Sequence, residues 1–131
     1  VTGNVKIVNS SYIGIFWGKV AEGKKRGRFL GFPTANVKLH RKITEGIYIS
    51  LAKVNRKSLP ALTFVGNAKT FGEKAVRAET YFLTFSADLY GKWVSVRLLK
   101  KIRENQKFKS AEDLILQMEK DKLQAQKYFK L

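Results

Sequence analysis

Apolar and polar residues alternate through the middle of the chain, a pattern that predicts β-strands. In 47–54, Ile47, Ile49 and Leu51 alternate with Tyr48, Ser50 and Ala52. Turn residues follow at 55–57, and 59–65 resumes a β-rich pattern, so these two segments predict an antiparallel hairpin. Residues 12–20 are aromatic and β-branched with two interrupting glycines, and they predict a first strand that bends or approaches another backbone closely.

Two further apolar segments predict a second hairpin. Residues 78–85 and 93–99 are β-rich, and 86–91 joins them as a turn. Residues 22–32 are rich in glycine and cations, lack apolar periodicity and end at Pro33, which predicts a long loop.

The last part of the chain changes to a helical period. Ser110 and Asp113 resemble a capping box, and they predict a helix that begins there. The residues expected to form its apolar stripe are Leu114, Ile115, Met118 and Leu123. About six strands followed by one helix predict a mainly β fold, a closed antiparallel barrel with a C-terminal helix against it.

Composition restricts the classes of protein to which the chain can belong. Its 131 residues are enough for one domain, with 1–11 as a possible lead-in or linker, and the absence of cysteine excludes disulfides and thiol chemistry. The longest apolar stretches, such as 12–17, are far shorter than the roughly 20 residues needed to span a bilayer. No signal-peptide pattern is present, so we expect a cytoplasmic protein without a membrane partner.

The charge suggests polyanionic partners. A formal net charge of +16 attracts both ATP and RNA. A nucleic-acid-binding barrel is therefore one hypothesis, with Tyr12, Phe16, Trp17 and Trp93 as candidates for stacking on bases. The alternation of the strands predicts that most of these aromatic side chains are in the core instead, so nucleic acid is not the expected partner. His40 has no partner cluster and is expected to be solvated.

One loop contains residue types that suit phosphate binding. RGRFLGFPTAN at 26–36 combines cations, two glycines and the oxygen-bearing side chains of Thr34 and Asn36, but it matches no P-loop pattern. The alternative is an exposed loop in which Thr34 and Asn36 make turn hydrogen bonds.

Three separated motifs resemble the riboflavin kinase family, also found as the C-terminal half of bacterial bifunctional FAD synthetases. They are GRFLGFPTANV at 27–37, AETYFLTFSADLYGKWVSV at 78–96 and IRENQKFKSAEDL at 102–114. The resemblance implies a six-stranded antiparallel Greek-key-like barrel with a C-terminal α-helix. It also implies transfer of the γ-phosphate of ATP to the 5′-hydroxyl of riboflavin, giving FMN and ADP with Mg²⁺. An adenylyltransferase half is not expected within the chain, so its reaction should stop at FMN.

The resemblance implies roles for individual residues. Thr34 and Asn36 match the ligands of Mg²⁺, and Glu79 matches the carboxylate that orients or deprotonates the accepting hydroxyl. The residues implied in ATP binding are Gly23, Arg28, Gly31, Phe32, Pro33 and Thr34. From composition alone, Glu79 is also interpretable as a strand glutamate paired with a surface lysine.

The segment before the helix matches the family's flavin-binding region. The resemblance implies that Arg103, Asn105 and Phe108 contact riboflavin. Phe108 is equally interpretable as a hydrophobic staple before Ser110, and Arg103 as a solvated cation.

The chain also departs from the family pattern. FVGNAKTF at 64–71 lacks the Asn, the basic residue and the Pro common in the family, and Tyr81 replaces a common His. These departures support a third hypothesis, a domain that binds flavin but has lost kinase activity.

Overall fold

The computed structural model describes residues 12–21, 34–66, 77–84 and 90–131. Its strands are β1 (Gly14–Lys19), β2 (Thr34–Lys38), β3 (Gly46–Val54), β4 (Lys57–Gly66), β5 (Arg77–Phe82) and β6 (Trp93–Arg103), followed by helix α1 (Ala111–Phe129). This order confirms the mainly β fold with a C-terminal helix. The expected lead-in at 1–11 lies outside the described residues.

The strands form one antiparallel sheet that closes into a nearly complete, Greek-key-like barrel. Its order is β1-β6-β3-β4-β5-β2. The two end strands approach each other through an isolated antiparallel bridge between Ala21 and Asn36, in which the amide N of Ala21 donates to the Asn36 carbonyl at 2.7 Å. Closure removes the exposed strand edges that an open sheet would leave.

The first predicted hairpin is confirmed and the second is wrong. β3 pairs with β4 through a two-residue turn at Asn55 and Arg56, whose φ angles of 49° and 67° suit a type I′ hairpin. β5, however, pairs with β4 and β2, and β6 pairs with β1 and β3. Alternation indicates that a segment is a strand, but closure of the barrel decides its neighbours.

The segment 34–38 is strand β2, although the sequence pattern indicates only the end of a loop. Ala35 and Val37 are buried in the barrel interior at 1% exposure each. Two apolar positions in five residues, directly after Pro33, are too short a pattern to predict a strand.

The barrel interior follows the period of two along the strands. Its buried side chains include Phe16, Val37, Ala61, Ala78 and Val96.

A chain of hydroxyl groups crosses this interior. The Oγ1 of Thr63 is 2.8 Å from the Oγ of Ser50 and 3.0 Å from the Oγ1 of Thr80. These hydrogen bonds satisfy hydroxyl groups that would otherwise be buried at a cost.

Three of the four aromatic side chains considered for base stacking are exposed. Phe16 is buried at 2%, whereas Tyr12, Trp17 and Trp93 are 45%, 58% and 66% exposed. The expectation that most of them belong to the core is therefore wrong. Trp17 and Trp93 lie on the outer side of β1 and of the start of β6, whereas α1 meets β6 at its other end, through Arg103.

A second apolar cluster lies outside the barrel, under α1. It joins Ile47, Ile49, Leu62 and Tyr81 of the sheet to Met118 and Ala125 of the helix. No helix in the described part of the chain is long and apolar enough to cross a membrane.

The start of the helix is confirmed, but its predicted stripe is partly wrong. Ser110 is the N-cap, and its hydroxyl accepts a hydrogen bond from the amide N of Asp113 at 3.1 Å. Ile115 and Leu123 are 37% and 64% exposed, while Asp121 is buried at 4%. The helix contacts the sheet through Met118, Asp121 and Ala125. A pattern based on apolar residues alone does not place the polar Asp121 on this face.

Strand β6 continues to Arg103 and contains two irregularities. Its register with β3 shifts between Ile47 and Tyr48 and again between Ile49 and Ser50. Each shift adds one residue to β6. The first extra residue reverses which side chains of β6 face outward, and the second restores the original alternation. Arg103 therefore lies opposite Ile47, on the side of the sheet that α1 covers.

Candidate active site

One row of paired residues crosses five strands and places the candidate site residues side by side. In order it contains Arg103, Ile47, Phe64, Glu79 and Asn36, each paired with the next. Directly paired residues have Cβ atoms roughly 4.5–5.5 Å apart. The neighbours of Glu79 and Asn36 along their own strands point into the barrel, so this row lies on the outer face.

Glu79 is almost fully enclosed on this outer face. Its exposed fraction is 2%, and it lies between Phe64 on β4 and Asn36 on β2. A glutamate on the solvated surface would keep much of its area in water, so Glu79 is not a solvated surface residue. An ionisable side chain is costly to bury, and such a position is typical of functional groups.

The two residues that the resemblance assigns to Mg²⁺ lie beside Glu79. Asn36 is paired with Glu79 and is 6% exposed, and Thr34 is paired with Tyr81, two residues further along β5. The register therefore brings both positions next to the strand that carries the candidate carboxylate.

An apolar pocket opens between the outer face of the sheet and α1. Its enclosed volume is about 40 Å³, and the space between its walls widens into a mouth that is open to solvent. Its walls are formed by Ile47, Leu62, Phe64, Glu79, Tyr81, Arg103, Phe108, Leu114, Met118 and Asp121. The structure thus brings Glu79 together with two of the three expected flavin contacts.

Arg103 is held by a buried ion pair, which contradicts its interpretation as a solvated cation. Its Nη2 is 2.7 Å from Oδ2 of Asp121, and its Nε is 2.9 and 3.1 Å from the two carboxylate oxygens. The side chains are 15% and 5% exposed. Gln117 donates to Oδ1 of Asp121 at 3.0 Å, and Arg103 Nη1 donates to the Glu104 carbonyl at 3.2 Å.

Asp121 is a site residue that sequence reasoning missed. The helical period places it near the face of Leu114, Met118 and Ala125, but nothing in the local pattern identifies its partner. An aspartate on an apolar helical face is a signal, because such a residue needs a charged partner when it is buried. That partner is Arg103, 18 residues earlier in the chain.

The position of Phe108 is compatible with both roles considered for it, and its contact with riboflavin stays a prediction. It is half-buried, it lines the pocket together with Leu114 of α1, and the Arg103 guanidinium carbon is 6.0 Å from its ring centroid. A residue before the N-cap that packs near the first turn of the helix can therefore also form a wall of the pocket.

Asn105 contacts the backbone of the barrel, and its expected contact with riboflavin stays a prediction. Its Nδ2 donates to the carbonyl of Val65 at 3.1 Å, which ties the segment before the helix to the end of β4. It is not part of the pocket wall. Among the described residues its buried Oδ1 has no hydrogen-bond partner.

Several expected site residues lie outside the described residues. They are Gly23, Arg28, Gly31, Phe32 and Pro33 of the glycine-rich loop, together with 67–71 of the segment that departs from the family pattern. His40 is described and is exposed, in agreement with its expected solvation.

Comparison with known proteins identifies a family to which the sequence is similar. The sequence model of riboflavin kinase (flavokinase) matches residues 12–129. The bifunctional riboflavin kinase/FMN adenylyltransferase of Escherichia coli K12 is 37% identical over 117 residues, which cover 87% of this chain and 37% of that protein. The chain thus spans little more than a third of this relative's length.

Two solved structures resemble the chain. A riboflavin kinase from Trypanosoma brucei superposes with a TM-score of 0.61 at 26% identity and covers 88% of this chain and 79% of that one. A crystal structure described as a macrolide-efflux protein from Streptococcus pneumoniae gives a TM-score of 0.73 at 34% identity, covering 82% and 36%. Both superpose on more than four fifths of this chain.

Proposed function

The chain belongs to the riboflavin kinase family, and on that premise we propose that it transfers the γ-phosphate of ATP to the 5′-hydroxyl of riboflavin. The products are FMN and ADP. One observation carries the proposal: the cross-strand row places Glu79 beside Asn36 on one side and at the wall of an apolar pocket on the other. This reaction needs a base, an oxygen ligand near the phosphates of ATP and a pocket for an apolar ring.

Glu79 is proposed as the base. Its carboxylate accepts a hydrogen bond from the 5′-hydroxyl and takes the proton as the new bond between oxygen and the γ-phosphorus forms. The bond between that phosphorus and the β,γ-bridging oxygen breaks, and ADP leaves with the electron pair. Because the pocket is largely apolar and Glu79 is buried, water has little access to compete with riboflavin for the phosphoryl group.

Asn36 and Thr34 are proposed to hold Mg²⁺ on the phosphate side of Glu79. Amide and hydroxyl oxygens are ligand types that a hard cation accepts, so these residues fit the metal. No group of three or more His, Asp or Glu side chains that could hold a metal occurs in the described ranges. The remaining ligands would therefore be phosphate oxygens and water. When bound, the cation neutralises charge on the transferred phosphate.

The flavin ring is proposed to lie in the apolar pocket between the sheet and α1. Phe108, Phe64 and Leu62 supply apolar contact area there. Three of the five N–H donors of Arg103 are engaged by Asp121 and the Glu104 carbonyl, so its proposed role is to hold the helix and the wall next to Phe108 in place. We therefore regard Arg103 as a positioning residue for riboflavin.

Substitution of Glu79 tests the proposed base. Glu79→Gln keeps the shape of the buried side chain but removes the proton acceptor, so FMN formation should fall by a factor on the order of 10² to 10⁴. The measurement is chromatographic separation of flavins after incubation with riboflavin, ATP and Mg²⁺. Glu119→Gln, an exposed change of the same chemistry on α1, is the matched control and should leave the rate unchanged.

The same experiment separates the competing hypotheses. No FMN from the unsubstituted protein, together with quenching of riboflavin fluorescence on binding, would identify a flavin-binding domain without kinase activity. If Glu79→Gln still forms FMN at the rate of the unsubstituted protein, the proposed reaction stands but Glu79 is not its base.

A further inference from the structure

The outer side of β1 and β6 presents an exposed aromatic surface, which we call the aromatic face. It consists of Tyr12, Trp17 and Trp93, which are 45%, 58% and 66% exposed. It is separate from the candidate active site, which lies on the outer side of β2 to β5 and reaches β6 only at its last residue, Arg103, ten residues after Trp93. Large aromatic side chains at this exposure, grouped on one surface, are typical of an interaction site.

The strand register places the two tryptophans as near neighbours. Trp17 is paired with Ser95, and Trp93 is two residues before Ser95 on the same strand. The two tryptophans are therefore on the same side of the sheet and diagonal to each other. Diagonal residues of two paired strands have Cα atoms roughly 7–8 Å apart. This spacing suits successive bases of an extended strand, or one base held between two rings.

Cations surround the aromatic face. The guanidinium carbon of Arg97 is 5.4 Å from the ring centroid of Tyr12, and that of Arg41 is 6.0 Å from the ring centroid of Trp17. Lys19 is paired with Trp93. None of the strands β1, β3 and β6 contains an aspartate or glutamate, so no carboxylate on these strands offsets the positive potential.

A groove continues the aromatic face past Arg41. It has a volume of about 450 Å³, and its polar wall is formed by Arg41, Lys42, Thr44, Tyr48 and Lys101. Lys101 pairs with Glu104 at 2.7 Å, whereas Arg41 donates to the Ile15 carbonyl at 3.2 Å. Arg41 borders both this groove and the ring of Trp17, so the groove adds cations beside the aromatic face.

We propose that the aromatic face binds single-stranded nucleic acid, with bases stacked on Trp17 and Trp93 and phosphates paired with Lys19, Arg41 and Arg97. Alternating aromatic and cationic side chains, on strands β1 and β6 that carry no carboxylate, suit a chain that alternates bases with phosphates. A second copy of the protein is a poor occupant, since each copy carries a net charge of +16. The proposal does not depend on kinase activity.

Intrinsic fluorescence tests the proposal directly, because Trp17 and Trp93 are the two tryptophans of the sequence. Titration with an oligouridylate of about 12 nucleotides should quench this fluorescence, and the affinity should fall as salt rises. In fluorescence anisotropy with a labelled oligonucleotide, Trp93→Ala should weaken binding about 5- to 100-fold, the loss expected for one stacked base. Trp93→Phe, which keeps a ring, should retain most of the affinity.

The control variants separate stacking from general charge. Arg97→Gln should reduce the salt slope by roughly 0.7, whereas Lys127→Gln, an equal loss of charge at an exposed position on α1, should change it less. Equal binding by Trp17→Ala, Trp93→Ala and the unsubstituted protein would overturn the proposal. So would fluorescence that depends on protein concentration without oligonucleotide, which would show that a second copy covers the face. Riboflavin phosphorylation is measured separately, so failure of either proposal is recognisable.

Discussion

Gly18 lies where β1 passes β2, at the point of barrel closure. A Cβ built on Gly18 would be 2.7 Å from Cγ1 of Val37, a distance that real side chains do not reach. Val37 is 1% exposed and cannot move away without disturbing the core. The close approach that two glycines in the first strand predict is therefore real at this position.

Gly18→Ala should destabilise the barrel by about 1–3 kcal/mol, the usual cost of forcing extra volume into a packed interior. The measurement is urea-induced unfolding followed by circular dichroism. Gly14→Ala on the same strand is the matched control, since its Cβ would meet Leu98 at an ordinary 3.4 Å. Equal stability of the two variants would mean that β1 and β2 separate without cost.

At the scale of single residues, sequence reasoning yields candidates where a residue belongs to a motif, and their roles stay predictions. Thr34, Asn36 and Glu79 are recognisable because their motifs are specific, and the register then pairs Asn36 with Glu79. Asp121 is not recognisable in this way, because its partner Arg103 becomes a neighbour only when α1 packs against β6. The buried ion pair is a product of tertiary structure.

At the scale of elements, α1 serves as one wall of the riboflavin pocket proposed above. The helix is attached by apolar contacts of Met118 and Ala125 and by the ion pair of Asp121 with Arg103. Arg103 is the last residue of β6 and Phe108 follows five residues later, so the ion pair ties the start of the connection that borders the pocket to the middle of α1.

Asp121→Asn should therefore affect stability and riboflavin binding together. Removing one charge of a buried pair costs about 3 kcal/mol, the lower end of the usual range because Arg103 retains 15% exposure. KM for riboflavin should rise by more than KM for ATP, because the loosened wall belongs to the flavin side. Urea unfolding and steady-state kinetics with each substrate varied in turn measure the two effects.

Glu119→Gln, exposed on the same helix, is the control and should change neither quantity. A double variant, Arg103→Met with Asp121→Leu, should recover stability because it removes both charges. Loss of stability in Asp121→Asn with an unchanged KM for riboflavin would restrict Asp121 to a structural role.

Elements are predicted well when their signals are local. The hairpin of β3 and β4 and the start of α1 at Ser110 depend on a short turn and a cap, and both are confirmed. The proposed pairing of 78–85 with 93–99 is wrong because pairing in a closed sheet depends on strands distant in sequence, such as β1 and β3. The face of α1 that packs is likewise decided by its partner strands.

At the scale of the whole molecule, the net charge of +16 destabilises the compact folded state, because like charges repel one another. Lysines and arginines outnumber acidic residues 26 to 10, so most cations have no acidic residue to pair with. Repulsion between exposed charges is long-range at low salt, where the screening length is about 30 Å at 0.01 M, and short-range at 0.15 M, where it is about 8 Å.

Raising NaCl from about 0.01 M to 0.15 M should therefore raise Tm by roughly 4 °C, the shift produced by about 1 kcal/mol in a domain of this size. Differential scanning calorimetry measures the change. Chloride and sulfate compared at equal ionic strength separate screening from preferential binding of a multivalent anion. A Tm that falls with added NaCl would show that attractive ion pairs, such as that of Lys101 with Glu104, outweigh the repulsion.

The alternation of the strands also has a consequence for how this sequence can evolve. Ala78, Glu79 and Thr80 are consecutive, yet Ala78 and Thr80 point into the barrel while Glu79 points towards the pocket. Selection for a folded chain acts on one set of alternate positions, and selection for chemistry acts on the other. A new specificity can therefore arise on the outer row while the inner row stays unchanged, and the same barrel can be retained as its substrate diverges.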